Sequence, residues 1–110
     1  MKYEVIGESV RIPYEKYDKH ICDFIATYRP YPDDSKKYEL EIKLEKIVTE
    51  SGGEYKFEHI IDKQLITTNK YYVLKDVVRL ISYGVKHGQF DDHLKEFKDE
   101  IKSSLYICAE

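Results

Sequence analysis

Residues 14–28 read YEKYDKHICDFIATY, and whether this stretch is helix or strand decides the fold. Tyr14, Tyr17, Ile21, Phe24, Ile25 and Tyr28 recur every three or four residues, the spacing of one helical face. Pro13 stands at the first helical position, where proline is tolerated. Pro30 lies beyond the far end and disfavours helical geometry at Arg29. The spacing predicts a helix over 14–28, followed by a loop, RPYPDDS (29–35).

On the N-terminal side, KYEVIGESVRI (2–12) changes phase at Gly7-Glu8. A two-residue turn with glycine first is the type II′ hairpin pattern. It predicts Val5 opposite Val10 and Tyr3 opposite Ile12, the alternative being one strand with a bulge at Gly7.

On the C-terminal side, Tyr38, Leu40, Ile42 and Leu44 alternate with Glu39, Glu41, Lys43 and Glu45, a strand with one buried face and one wet face over 37–49. SGGE (51–54) turns the chain, and Tyr55, Phe57, His59 and Ile61 alternate on the return strand, 54–62. Closing the loop at Gly52-Gly53 pairs Val48 with Phe57, Leu44 with Ile61 and Lys43 with Asp62. The same register makes Ile47 and Ile60 diagonal neighbours on the outer face, beside Glu45 and Glu58.

Thr68 or Asn69 can cap a second helix. Its buried stripe is Leu74, Val77, Val78, Ile81 and Val85, within 71–87. Leu94, Phe97, Ile101 and Leu105 form the narrow apolar face of a third, and LYICAE (105–110) either extends it or adds a strand. The expectation is one α+β domain over 1–110 in the order β(β)–α–β–β–α–α. A small antiparallel sheet would pack against two or three helices, in an order loosely similar to a ferredoxin-like βαββα core with an added helix.

The 110 residues are 42% hydrophobic and 35% charged with net charge −3, a composition that can build a core and lies outside the disordered class. Lysine greatly outnumbers arginine, and isoleucine and tyrosine outnumber alanine, a bias common in AT-rich genomes such as those of low-GC bacteria and their phages. The lysines are scattered, so no basic face for nucleic acid is expected. MKYEVIGESV has no apolar signal-peptide core, and no apolar run approaches a membrane span. A cytoplasmic protein is expected, with Cys22 and Cys108 as free thiols.

HGQFDDH (87–93) carries the densest set of potential metal ligands. Gly88 separates its histidines, however, and the residues fit a helix–helix turn. His87 would complement the dipole of the 71–87 helix, Gly88 would adopt the left-handed C-cap, and Asp91 or Asp92 would cap the next helix. No metal and no cofactor are expected. In His20-Ile21-Cys22-Asp23, a helix would keep His20 and Cys22 from facing each other. His59 falls on the inward parity opposite Lys46, as a structural histidine at the sheet margin or a group in a pocket. There is no phosphate loop, CxxC pair or nucleophile elbow.

The loop TYRPYPDDSKKY (27–38) concentrates tyrosine and acid. Tyrosine offers large contact area at low entropic cost, so Tyr28 and Tyr31 would anchor a partner protein while Asp33, Asp34, Glu39 and Glu41 steer it. Ile47 and Ile60 form a second partner-binding spot. These features point to a non-enzymatic protein-binding module of the inhibitor, antidote or immunity kind. The alternatives are a small metal- or histidine-dependent hydrolase or nuclease, and a homo-oligomeric structural protein, for instance a homodimer.

Overall fold

The structure is a computed structural model that describes residues 2–34, 36–67 and 74–108. Five strands come first: β1 (Glu4–Ile6), β2 (Ser9–Lys16), β3 (Lys19–Pro30), β4 (Lys37–Glu50) and β5 (Gly53–Thr67). Two helices follow, α1 (Leu74–Lys86) and α2 (Asp91–Cys108). Each strand pairs antiparallel with the next, so the sheet order is the chain order. The α+β class holds, but the order is β–β–β–β–β–α–α. The ferredoxin-like arrangement and the helix over 14–28 are both wrong.

The correction has a local cause. Tyr17 and Asp18 adopt φ of 54° and 60°, the two left-handed residues of a type I′ hairpin turn. The flanking residues then pair as strands, with Ile12 opposite Phe24 and Val10 opposite Ala26. Of the presumed helical stripe, Tyr17 is a turn residue and Ile21 is the extra residue of a bulge, because Tyr14 pairs with Cys22 while Glu15 pairs with His20. Ile25 points to the opposite face from Phe24. The true signal was the alternation Cys22, Phe24, Ala26, Tyr28. Pro13 sits inside β2 opposite Asp23. β1 ends opposite Arg11, so an absent N–H at Pro13 costs no ladder bond on that side.

The first hairpin has the expected turn and the expected Val5–Val10 pair, with Gly7 at φ 59°, but β1 starts at Glu4, opposite Arg11, and the expected Tyr3–Ile12 pair is not part of the ladder. The β4–β5 hairpin exists, but its turn is Ser51-Gly52, with φ of 53° and 78°. Moving the turn slides the register by two residues. Leu44 therefore faces His59, Lys46 faces Phe57, Val48 faces Tyr55 and Lys43 faces Ile60. A slide of two preserves which face each side chain occupies but changes every partner. A bulge at Ile61 then shifts the register once more, to Ile42 opposite Asp62.

The helices close one face of the sheet. Val10, Ile12, Phe24, Ala26 and Leu44 are fully buried there beneath Val77 and Ile81 of α1 and Phe97 of α2. Tyr14, Phe24 and Phe90 form an aromatic run, with ring centroids 6.0 and 5.2 Å apart. Gly84 makes room for it, since a Cβ there would overlap the Phe90 ring. Gly88, at φ 71°, ends α1 as expected. The Phe90 carbonyl accepts the Leu94 N–H at 2.9 Å, so Asp91 and Asp92 sit inside the first turn of α2 and favour its dipole. α2 continues through Cys108, which makes 105–108 helix. The proposed caps Thr68 and Asn69, and residues 109–110, lie outside the described residues. No helix among the described residues is long and apolar enough to cross a membrane.

Candidate functional site

Two places in this architecture collect functional groups, one on each face of the sheet. Among the described residues, both helices pack on the inner face, leaving the outer face to solvent. Antiparallel pairing brings outward side chains of neighbouring strands within a few ångströms of one another, and here they form a row of alternating charge. Arg11 on β2 donates to Asp23 on β3 at 2.6 Å and to Glu45 on β4 at 2.9 Å. Glu45 also meets Lys56 of β5 at 3.5 Å, and Glu58 holds Lys56 at 3.2 Å and Lys43 at 3.3 Å. His20 closes the other end on Asp23 at 2.7 Å.

The array perturbs its members in the expected directions. The hydrogen bond to Glu45 outweighs burial and raises the Arg11 pKa. Lys56, then Lys43, lowers that of Glu58, and Glu58 in return raises that of Lys56. A second knot lies further along, where Glu39 takes Arg29 at 3.2 Å and Lys63 at 3.5 Å, and Arg29 holds its carboxyl below the ordinary range.

Apolar groups stand among these charges. Ile25 is buried, placed by the register between Arg11 and Lys43, whose aliphatic stems are long enough to cover it. Ile47, Ile60 and Leu65 are open, at 52%, 57% and 48% exposed. Ile47 faces Lys56 and Ile60 faces Lys43, so the two isoleucines are separated by ion pairs and are not diagonal neighbours.

The expected tyrosine–acid site is dispersed. Tyr28 turns inward and stacks on Tyr38, 4.8 Å between centroids. Tyr31 and Asp34 build the β3–β4 loop: the Tyr31 N–H donates to Lys37 at 2.9 Å, and the Asp34 carboxylate accepts the Lys36 N–H at 3.0 Å. Asp33 is exposed at that tip. Glu39 is buried and doubly paired rather than free to steer, while Glu41 lies on the outer face opposite Thr27 and Lys63.

On the inner face, α2 crosses β5 where His59 stands. The His59 side chain is 12% exposed. Its Nε2 lies 3.1 Å from Nδ1 of His93, and its Nδ1 lies 3.2 Å from a Glu100 oxygen. One ligand atom each from His59, His93 and Glu96 fall within 4.8 Å of one another. The predicted neighbour Lys46 is displaced by the register slide to face Phe57. HGQFDDH is thus a turn that also delivers one histidine: His87 packs against Tyr83 at a tilt, ring centroids 4.1 Å apart, whereas His93 joins His59. Cys22 is a free, buried thiol, pushed by burial up to about 12, which favours the protonated thiol over the nucleophilic thiolate near neutral pH.

Sequence reasoning treated His59 and His93 separately because nothing in the chain shows that α2 lies over β5. The available signal was the spacing His93, Glu96, Glu100, three side chains on one side of a helix. The ion-pair row was hidden for the same reason as the fold, since Arg11 and Asp23 meet only once 14–28 is a strand. No protein-family model, curated protein or solved structure shows significant similarity to this chain, so function is read from these residues alone.

Proposed function

We propose that the chain is a non-enzymatic protein-binding module that engages a folded partner protein with the uncovered face of its sheet. The observation that carries this reading is the outer-face array: charges held by one another across β2, β3, β4 and β5, with Ile47, Ile60 and Leu65 exposed among them. A surface whose side chains are already ordered gives up little conformational freedom on binding, which is where preorganised interfaces gain affinity. Its cations are spoken for by carboxylates of the same face, which favours a protein surface over a polyanion. Glu41, Ile47 and Ile60 keep their expected roles on this face. Asp33 and Tyr31, at the β3–β4 tip, form its rim. Occupying the face would block the matching surface of the partner.

The test is capture from a lysate of the source cell with three baits. Wild type and Leu80→Glu, which alters an exposed position on the helix side, should retain the same partner, and Ile60→Glu should lose it by at least tenfold. Retention by Ile60→Glu together with loss by Leu80→Glu would place binding on the helices and refute the reading.

A further inference from the structure

We propose that His59, His93 and Glu96 form a binding site for one divalent transition-metal ion of the zinc class. The site lies on the inner, helix-covered side and is independent of the binding face proposed above. Imidazole nitrogen and carboxylate oxygen together are the donor set that suits such ions.

The spacing fits the ion. Two imidazole nitrogens bound at 2.0–2.1 Å to a tetrahedral centre stand about 3.4 Å apart, and Nε2 of His59 and Nδ1 of His93 stand 3.1 Å apart. Glu96 follows His93 by three residues, about 60° round the helix, and an oxygen of its exposed carboxylate is already within 4.8 Å of one ring nitrogen of each histidine. Three protein ligands leave a fourth position for water.

Glu100 supplies the orienting partner that metal-bound histidines use. A carboxylate only accepts, so the 3.2 Å contact puts the proton of a neutral His59 on Nδ1 and leaves the Nε2 lone pair facing His93. In the metal-free protein, the 3.1 Å contact then needs the His93 proton on Nδ1, donated to His59 Nε2. An incoming ion takes the lone pairs of His59 Nε2 and His93 Nδ1, and His93 gives its Nδ1 proton to solvent while taking one from solvent on Nε2, so the neutral histidine changes tautomer with no net proton released. The approach is favourable, because the open groove beside the site along α2 carries Asp92, Glu96, Asp99 and Glu100 against Lys95. This field concentrates cations.

The experiment uses untagged full-length protein, freed of metal with chelator, titrated with cobalt(II) and then with zinc against a chromophoric chelator. The expected result is the intense visible absorption of tetrahedral cobalt, bleached by one equivalent of zinc. His93→Ala, at a half-exposed helix position, should abolish it. Glu96→Gln should weaken zinc binding at least tenfold, and Glu100→Gln by 10- to 100-fold with stoichiometry kept. His20→Ala and His87→Ala, the other two histidines, should bind as wild type. Absence of the cobalt spectrum in wild type, undiminished binding by His93→Ala, or loss in His20→Ala would each overturn the proposal. The wild-type spectrum decides even if His59 variants fold poorly.

Discussion

Replacing Arg11 with methionine keeps a long apolar stem over Ile25 but removes the cation that bridges Asp23 and Glu45. Glu45 is 4% exposed, and its remaining cation is Lys56 at 3.5 Å, shared with Glu58. Among the described residues Asp23 keeps only His20, at 2.7 Å. Two charge-assisted hydrogen bonds are lost, each worth about 1.5–3 kcal/mol when made. The Arg11 side chain is 32% exposed, so water partly replaces it and the lower end applies. The expected loss is about 3 kcal/mol, or roughly 12 °C in Tm for a domain of this size. Urea and thermal unfolding followed by circular dichroism measure it. Adding Glu45→Met to Arg11→Met should restore at least half of the loss, because the damage lies in the uncompensated carboxylate. A cost below about 0.5 kcal/mol, the range of ordinary surface pairs, would refute the reasoning, as would a double variant no more stable than the single one.

Tyr17 and Asp18 hold left-handed conformations that Asn and Gly adopt at lower cost. Tyr17→Asn with Asp18→Gly should therefore raise stability by about 1 kcal/mol, read from the urea midpoint; a loss of that size would contradict the turn. Glu39 and Glu58 have folded pKa values below the ordinary 4.5. Their contribution is present above that value and fades as pH falls through the lowered values. Urea midpoints should hold from neutrality to pH about 5 and then drop, and Glu39→Gln/Glu58→Gln should flatten that drop. Lys56 is raised above 10.5, so its share is intact below that pH and disappears above it, and Lys56→Met should blunt the alkaline loss. In a Cys108→Ser background, Cys22 should resist a thiol reagent at pH about 8 until the protein is unfolded; rapid labelling of the folded chain would contradict its burial.

The parts of this fold legible in the sequence are those with one consistent period. β4 alternates cleanly, α1 and α2 carry stripes at helical spacing, and Gly7 announces its turn. Residues 14–28 failed because a turn residue (Tyr17), a bulge residue (Ile21) and a buried residue on the outer face (Ile25) together imitate a helical stripe. A type I′ turn without glycine gave no warning. The β4–β5 register slipped by two because Ser51 takes the left-handed position that Gly53 seemed to offer, and composition alone does not choose between them. Of the expected site, Ile47, Ile60 and Glu41 were legible as outward positions on a strand. Tyr28 and Glu39 were not, since the stacking on Tyr38 and the pairing with Arg29 and Lys63 are contacts between strands. His59 was recognisable as an inward histidine, but its partners come from a helix more than thirty residues further along.

The central claim concerns which face meets the partner, and lysine footprinting of the complex addresses it directly. Acetylation rates would be compared with and without the captured partner, read by mass spectrometry. Lys43, Lys56 and Lys63 mark the open face, while Lys75, Lys86, Lys95, Lys98 and Lys102 mark the helices. The account predicts slowing at the three sheet lysines by at least tenfold, with the helix lysines unchanged. Protection confined to the helix lysines would contradict it.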